Sequence, residues 1–191
     1  LLSLWKHFKN GVSIYASIDH YGDRAEYIRH GTDWAKVEEN FIMARKTPYI
    51  SLQMNSVLSV FNYLTFNDFY QYLIDKKLYN PRDRTYTVYA MATPVWYSCH
   101  LLPPEMKKDG QEKMEKLINL MEAKKFKVEN ISQLTNAMQW VNSEDSWDMQ
   151  KFQFRSEIAR IDKLRGEDFE KTFPELKTLL AKYERKKLWP V

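Results

Sequence analysis

Three segments of this chain alternate apolar and polar residues, and this alternation most constrains how the chain can fold. The first segment reads VSIYASID from Val12 to Asp19, with apolar residues at the even positions. A period of two predicts a β-strand with one apolar face and one polar face. Because each predicted strand is followed by a segment of helical periodicity, the sequence predicts an α/β fold with a parallel sheet.

The predicted elements follow one another without a linker or an internal repeat. Strands are predicted at residues 11–18, 48–57 and 85–92, and helices at residues 1–9, 33–46 and 65–77. Thr32 or Asp33 can cap the helix at 33–46, and Thr65 can cap the next one. Several helices are predicted beyond Pro103-Pro104. The last of them follows Pro174 and carries an apolar stripe of Leu176, Leu179, Leu180 and Tyr183.

The polar faces of the predicted strands are the most informative feature for function. They carry Ser13, Tyr15, Ser17 and Asp19, then Ser51, Gln53 and Asn55, and then Thr87, Tyr89 and Met91. A parallel sheet covered by helices on both faces should instead be almost continuously apolar. Two interpretations fit: a sheet open to water on one face, or a barrel or half-barrel whose polar inner face lines a ligand cavity. We favour the cavity, with its site at the carboxyl ends of the strands, where Ser17, Asp19 and Asn55 lie.

Charge and cysteine content limit the classes of function. The formal charge is +4, and basic and acidic residues are interleaved along the chain except for a short basic run, Arg185 to Lys187, that suits a solvated helix end. This pattern argues against a nucleic-acid ligand. Cys99 is the sole cysteine, which excludes a disulfide framework and a thiolate-rich metal site made by this chain, and fits a cytoplasmic location. No apolar run approaches the roughly 20 residues of a membrane span, so we expect no membrane partner.

The N-terminal segment LLSLWKHFKN lacks an initiator methionine and opens within a pattern typical of an amphipathic helix. Lys6 and Lys9 interrupt its apolar residues, which argues against a signal peptide. We therefore expect the sequence to be a piece of a longer protein.

The first strand and the helix after it resemble one known family. The stretch SIYASIDHYGDRAEYIRHGTDWAKVEEN resembles the fourth strand and following helix of radical S-adenosylmethionine (SAM) enzymes. That family has a Ser-Ile-Asp strand end, then an Arg-x-Gly, then a helix with Val-x-x-Asn. Here these motifs are Ser17-Ile18-Asp19, Arg29-His30-Gly31 and Val37-Glu38-Glu39-Asn40. Residues 50–58 and 86–92 are similar to the family's fifth and sixth strands, and the tail IDKLRGEDFEKTFPEL resembles the C-terminal region of twitch-domain radical SAM proteins.

The resemblance implies a division of the chain and also a missing part. Residues 1–102 would be the C-terminal half of a partial (β/α)6 radical SAM barrel, with about three parallel strands. Residues 103–191 would be a helical C-terminal extension. The family's CxxxCxxC motif, which ligates a [4Fe-4S] cluster, is absent from the sequence, and Cys99 alone cannot hold the second cluster of a twitch domain. A cluster is therefore expected only through a missing N-terminal part.

The resemblance also implies an activity for the full-length parent. In the family, cluster-bound SAM is cleaved by one electron to methionine and a 5′-deoxyadenosyl radical, which abstracts hydrogen from the substrate. The parent would be an oxidoreductase-type enzyme acting on an unknown peptide or small molecule, with ferredoxin or flavodoxin as electron donor. The piece described by this sequence should be inactive by itself, and none of its residues is assigned as catalytic or as a metal ligand.

Five residues are candidate SAM contacts by the same resemblance. Ser17 and Asp19 would contact the ribose and the methionine end, and Arg29 would bind the carboxylate. Asn55 would add a polar contact, and the backbone around Met91 would contact the adenine. Short hydroxyl, carboxylate and guanidinium side chains suit the hydroxyls and charges of SAM.

Alternatives stay open for both the residues and the function. Ser17 and Asp19 could simply end a strand, and Arg29 could pair with Asp23 or Glu26 on the surface. The chain could be a non-catalytic module that binds RNA or a protein, or a degenerate half-barrel with a structural role. A half-barrel without its first strands should expose residues 11–18 as an unpaired edge, so the isolated piece should aggregate or expose apolar surface.

Overall fold

The computed structural model describes residues 2–8, 11–81, 83 and 86–181. Within these residues the strands are β1 (Val12–Ser17), β2 (Ile50–Leu58) and β3 (Thr87–Ala90). The helices are α1 (Leu2–Trp5), α2 (Gly22–Ile28), α3 (Trp34–Lys46), α4 (Phe66–Asp75), α5 (Pro104–Ala123), α6 (Val128–Val141), α7 (Trp147–Arg165) and α8 (Phe169–Thr172). Short 3-10 helices occupy Tyr63–Thr65, Val95–Tyr97, Cys99–Leu101 and Pro174–Leu180. Tyr183 and the basic run at 185–187 lie outside the described residues.

The three strands form one parallel sheet in the order β1-β2-β3. Helices α2 and α3 connect β1 to β2, and α4 connects β2 to β3. The α/β class and the parallel arrangement predicted from the sequence are thereby confirmed, and each strand boundary lies within two residues of its predicted position. This arrangement places the carboxyl ends of all three strands along the same edge of the sheet.

The two faces of the sheet differ as the alternation predicts. In the register of β1 and β2, Tyr15 lies beside Gln53 and Ser17 lies beside Asn55, so the polar rows coincide. Tyr15 is 60% exposed and Tyr89 is 55% exposed on this face. Helix α3 packs against the opposite, apolar face. The polar face is therefore open to solvent in the part of the chain that the structure describes.

Helix α3 begins with one of its predicted caps, whereas α4 begins without the predicted side-chain cap. The side chain of Asp33 caps α3 by accepting a hydrogen bond from the backbone N–H of Lys36 at 3.1 Å. Thr65 is the N-cap residue of α4, but its hydroxyl contacts His20 and Arg24 instead of the helix N–H groups. Both helices bury an apolar stripe: Trp34, Phe41 and Ala44 in α3, and Phe66, Phe69, Tyr70 and Leu73 in α4.

Helix α2 occupies a segment in which the sequence predicts a loop. The helix is only seven residues long and buries just Ala25 and Tyr27, so its periodicity is too brief to stand out. Gly22 has a φ of +59° and is the first residue of the helix. That left-handed conformation is readily adopted by glycine, because glycine lacks a Cβ.

Both ends of the described chain also differ from prediction. The N-terminal helix ends at Trp5 rather than near residue 9. After Pro174 the chain forms a 3-10 helix instead of an α-helix. Three residues per turn place Leu176 and Leu179 on one side of that helix, and both are buried. The predicted apolar stripe thus enters the core through a different helix type.

One apolar cluster joins the sheet to the C-terminal helices. The ring of Tyr27 in α2 lies 6.0 Å from that of Phe169 and 5.1 Å from that of Phe173, centroid to centroid. Residues on both sides of residue 102 thus share a core. None of the helices in the described ranges has the length and apolar character needed to span a membrane.

Candidate functional site

Asp19 lies at the carboxyl end of β1 and is held by two hydrogen bonds. Its Oδ1 accepts from the backbone N–H of Val57 at 2.7 Å, and its Oδ2 accepts from Nε of Arg29 at 2.8 Å. Asp19 is 5% exposed, whereas the Arg29 side chain is 41% exposed. A buried carboxylate needs such partners, and the charged guanidinium is a strong one. Asp19 therefore fixes Arg29 at the edge of the sheet where the strands end.

Arg29 follows α2 directly, and its backbone N–H donates to the carbonyl of Ala25 at 2.9 Å. The ion pair with Asp19 differs from the surface pairs with Asp23 or Glu26 that the sequence also allowed. The Nη1 and Nη2 groups of Arg29 have no hydrogen-bond partner among the described residues. These groups can still bind a carboxylate through two parallel hydrogen bonds.

Asn62 ties the ends of β1 and β2 together. Its Nδ2 donates to the carbonyls of Asp19 at 3.0 Å and Val57 at 2.9 Å, and its Oδ1 accepts from the backbone N–H of Ser59 at 2.8 Å. Asn62 is fully buried. The sequence analysis did not select Asn62, although an amide within the apolar run SVLSVFNYL was a signal that could have found it.

Ser17 and Asn55 are cross-strand neighbours on the polar face of the sheet. Asn55 is also the register partner of Thr87 on β3. The three side chains thus place hydroxyl and amide groups side by side, one strand apart. Such groups both donate and accept hydrogen bonds, which suits a ligand that carries adjacent hydroxyls.

Two small cavities meet at Asp19. The first, of about 50 Å³, is lined by Ser17, Asp19 and Arg29 together with side chains of α3. The second, of about 110 Å³, is lined by Asp19 and by Met91, whose backbone N–H donates to the carbonyl of Leu58 at 2.9 Å. A pocket for a whole small molecule usually measures about 300–1,000 Å³. A ligand as large as SAM would therefore not be enclosed by either cavity.

The structure thus brings the five predicted residues to one region but not into one cavity. Ser17, Asp19 and Arg29 share the smaller cavity, Met91 lines the larger one, and Asn55 is placed beside Ser17 by the strand register.

A buried polar network supports the loop after β1. Nδ1 of His20 accepts from the backbone N–H of Tyr21 at 2.9 Å, and its Nε2 lies 3.1 Å from the hydroxyl of Thr65. Arg24 also donates to Thr65 and forms an ion pair with Glu175 at 2.5 Å. Burial, and next the Arg24 guanidinium, lowers the pKa of His20 from 6.5 to about 4. His20 is therefore neutral at pH 7 and serves as a fixed hydrogen-bonding group.

The described residues do not fit an iron–sulfur cluster. No group of three or more His, Cys, Asp or Glu side chains within them is arranged to hold a metal ion. Cys99 is fully buried, and burial raises the pKa of its thiol. A thiolate is the form that binds metals, so Cys99 is a poor ligand here.

No protein-family model, no curated protein and no solved structure matches this chain. The chemistry of the site is therefore inferred from its own residues and from the resemblance of its motifs.

Proposed function

We propose that this chain is the C-terminal half of a radical SAM enzyme core and that it binds SAM along the polar face of its sheet. One observation carries the proposal. The motif residues Ser17, Asp19 and Arg29 lie around one cavity, at the carboxyl end of a parallel strand and beside an open polar face. Ligand sites in α/β folds gather at this end of the strands.

The residues present fit SAM better than they fit its usual cluster partner. Ser17 and Asn55 supply neutral hydrogen-bonding groups for the ribose hydroxyls. Arg29 offers two unengaged N–H groups to the methionine carboxylate, and Asp19 positions it through the 2.8 Å hydrogen bond. In this proposal Asp19 acts through Arg29. A [4Fe-4S] cluster would require ligands from a part of the protein that this sequence does not include, and no step is derived through it.

The bound cofactor would supply hydrogen abstraction, and the chain would supply binding and orientation. The rigid end of β1, tied by Asn62 and Val57, would keep the SAM contacts in place while the substrate is exchanged. A polar face with hydroxyl, amide and exposed tyrosine side chains would hold the ligand on one side only. A longer parent would cover the other side and exclude water from it.

Ser17→Ala and Arg29→Ala, each made in the complete protein, should weaken SAM binding. Removal of the guanidinium should cost at least tenfold in affinity, since a hydrogen bond to a charged group contributes roughly 1.5–3 kcal/mol. Isothermal titration with SAM measures this. Ser13→Ala, on the same face but farther from the strand end, and Arg160→Ala, in an exposed ion pair, are matched controls. Unchanged affinity for SAM in both Ser17→Ala and Arg29→Ala would contradict the assignment of these residues as SAM contacts.

The coding sequence upstream provides an independent test. A CxxxCxxC motif should occur about 80–120 codons before Leu1, the length of three βα units of about 30 residues each. An open upstream frame without the motif would leave a non-catalytic module. Salt-dependent binding to RNA would then favour a nucleic-acid ligand, and salt-independent capture of a peptide would favour a protein partner.

A further inference from the structure

The larger of the two cavities at Asp19 is closed on one side by the C-terminal helical region. Its volume is about 110 Å³. The strand ends contribute Asp19 and Met91, and helix α7 contributes Ile161 and Arg165. The volume corresponds to roughly four water molecules, at about 30 Å³ each. It therefore admits a short side chain or a small acid and not a whole cofactor.

Arg165 is the cation of this cavity, and most of its hydrogen-bonding capacity is unused. Its Nη1 donates to the carbonyl of Tyr27 at 3.1 Å. The same nitrogen lies 3.6 Å from Oε2 of Glu167, beyond hydrogen-bond distance. A guanidinium carries five N–H donors. Its remaining donors have no hydrogen-bond partner among the described residues.

Two other polar groups at this end of α7 are also left without partners. Ser59 is 2% exposed and lines the cavity, and its hydroxyl has no hydrogen-bond partner in the described part of the chain. Oε2 of Glu167 is also buried without a hydrogen bond, but an anion would not satisfy this acceptor. A buried polar group without a partner is costly, so a native structure usually satisfies it with water or a ligand.

The carboxylates nearby are already engaged. Asp19 accepts from Arg29 and from a backbone N–H. Asp162 accepts from the hydroxyl of Tyr27 at 2.8 Å and from the backbone N–H of Phe169 at 3.0 Å. Glu167 pairs with His30 through Oε1 at 2.8 Å and does not line the cavity. Among the lining residues, the Arg165 guanidinium and the Ser59 hydroxyl are groups left to donate hydrogen bonds to a ligand. Because the guanidinium is positively charged and both groups donate hydrogen bonds, an anion suits them.

We propose that this cavity binds a carboxylate group, with Arg165 and Ser59 as its hydrogen-bond donors. The aromatic rings of Phe61 and Tyr97, 5.0 Å apart, line the cavity and limit its access to water. A guanidinium in such a setting can form two parallel hydrogen bonds to a carboxylate. The assignment of this carboxylate to the substrate, rather than to another ligand, rests on the proposed function. The anion site itself does not.

Propionate is the probe that tests the site, and propionamide is its uncharged counterpart. Titration of the full chain at low salt, followed by NMR chemical shifts, should give a dissociation constant on the order of 1 mM for propionate. Propionamide should bind at least tenfold more weakly. Arg165→Gln should weaken propionate binding at least tenfold, and Ser59→Ala should weaken it severalfold. Arg160→Gln, which changes an exposed arginine on the same helix, should leave binding unchanged.

Glu167→Gln separates this proposal from a merely structural role of Arg165. Glu167 competes with the ligand for the guanidinium, so removal of its charge should tighten propionate binding severalfold. Equal affinity for propionate and propionamide, or unchanged binding in Arg165→Gln, would overturn the proposal. SAM titration of the complete protein separates the two claims. Binding of propionate without SAM overturns the proposed function alone, and binding of SAM without propionate overturns the carboxylate site alone.

Discussion

At the scale of single residues, the buried polar groups at the end of β1 have hydrogen-bond partners. Asp19 and His20 are adjacent and both buried, yet they are satisfied differently. The side chain of Asp19 forms an ion pair with Arg29. His20 is neutral, because burial, and next the positive charge of Arg24, lowers its pKa. The negative charge of Glu175 acts in the opposite direction and raises the pKa of His20, but Glu175 is paired with Arg24.

His20 should make the protein less stable in acid. The pKa of His20 is about 4 in the folded protein and 6.5 in the unfolded chain. The contribution of His20 to the free energy of unfolding is therefore complete above pH 6.5. It is lost as the pH falls from 6.5 to about 4. A shift of this size corresponds to a loss of about 3 kcal/mol. Urea unfolding at pH 7 and pH 4.5 measures how much the free energy of unfolding decreases in acid. This decrease should be smaller in His20→Gln than in the natural chain. His7→Gln, which removes an exposed histidine, is the control. Equal losses in His20→Gln and the natural chain would contradict this assignment.

At the scale of secondary-structure elements, the two edge strands of the sheet differ in the partners of their outward backbone N–H groups. On β3, the backbone N–H of Val88 donates to Oε1 of Gln133 in α6 at 2.8 Å. On β1, Val12 and Ile18 donate toward β2, so by alternation the N–H groups of the odd residues point away from the sheet. An apolar groove of about 430 Å³ between β1 and α3 lies beside that edge. An open edge beside an apolar groove favours association with another chain.

The isolated chain should therefore self-associate through β1. Multi-angle light scattering over a concentration series should show growth in mass. Tyr15→Lys should suppress this growth, since a charged side chain on an edge strand opposes pairing. Tyr89→Lys changes an equally exposed tyrosine on the same face but on β3, and it should have little effect. Equal suppression by both variants would implicate the face instead of the edge. A monodisperse, cooperatively melting monomer would count against the half-barrel.

At the scale of the whole molecule, features set by neighbouring residues could be predicted from the sequence. Contacts between residues far apart in the sequence could not. The alternation of β1 depends only on neighbouring residues, so this strand was predicted together with its polar and apolar faces. The contact of Arg24 with Glu175 joins residues 151 positions apart, and spacing could not reveal it. Asp19 was selected as a candidate, but its partner Val57 depends on the strand register. The long-range contacts also decide how the C-terminal helices close the larger cavity.

The packing of α5 on the rest of the molecule can be tested at Gly110. A Cβ at this position would lie 2.2 Å from Cε1 of Tyr63, so Gly110→Ala should overpack the core and cost about 2 kcal/mol, more than the gain of about 1 kcal/mol in helix propensity. Asn119→Ala, at an exposed position of the same helix, should change stability by less than about 0.5 kcal/mol. Adding Tyr63→Leu to Gly110→Ala should recover part of the loss, because the two residues are in contact.

Thermal unfolding followed by far-UV and near-UV circular dichroism should remain a single transition in all variants, since residues on both sides of residue 102 share one core. A stabilising Gly110→Ala, or two separate transitions, would mean that the C-terminal helices fold independently of the sheet and do not form a fixed wall of its site.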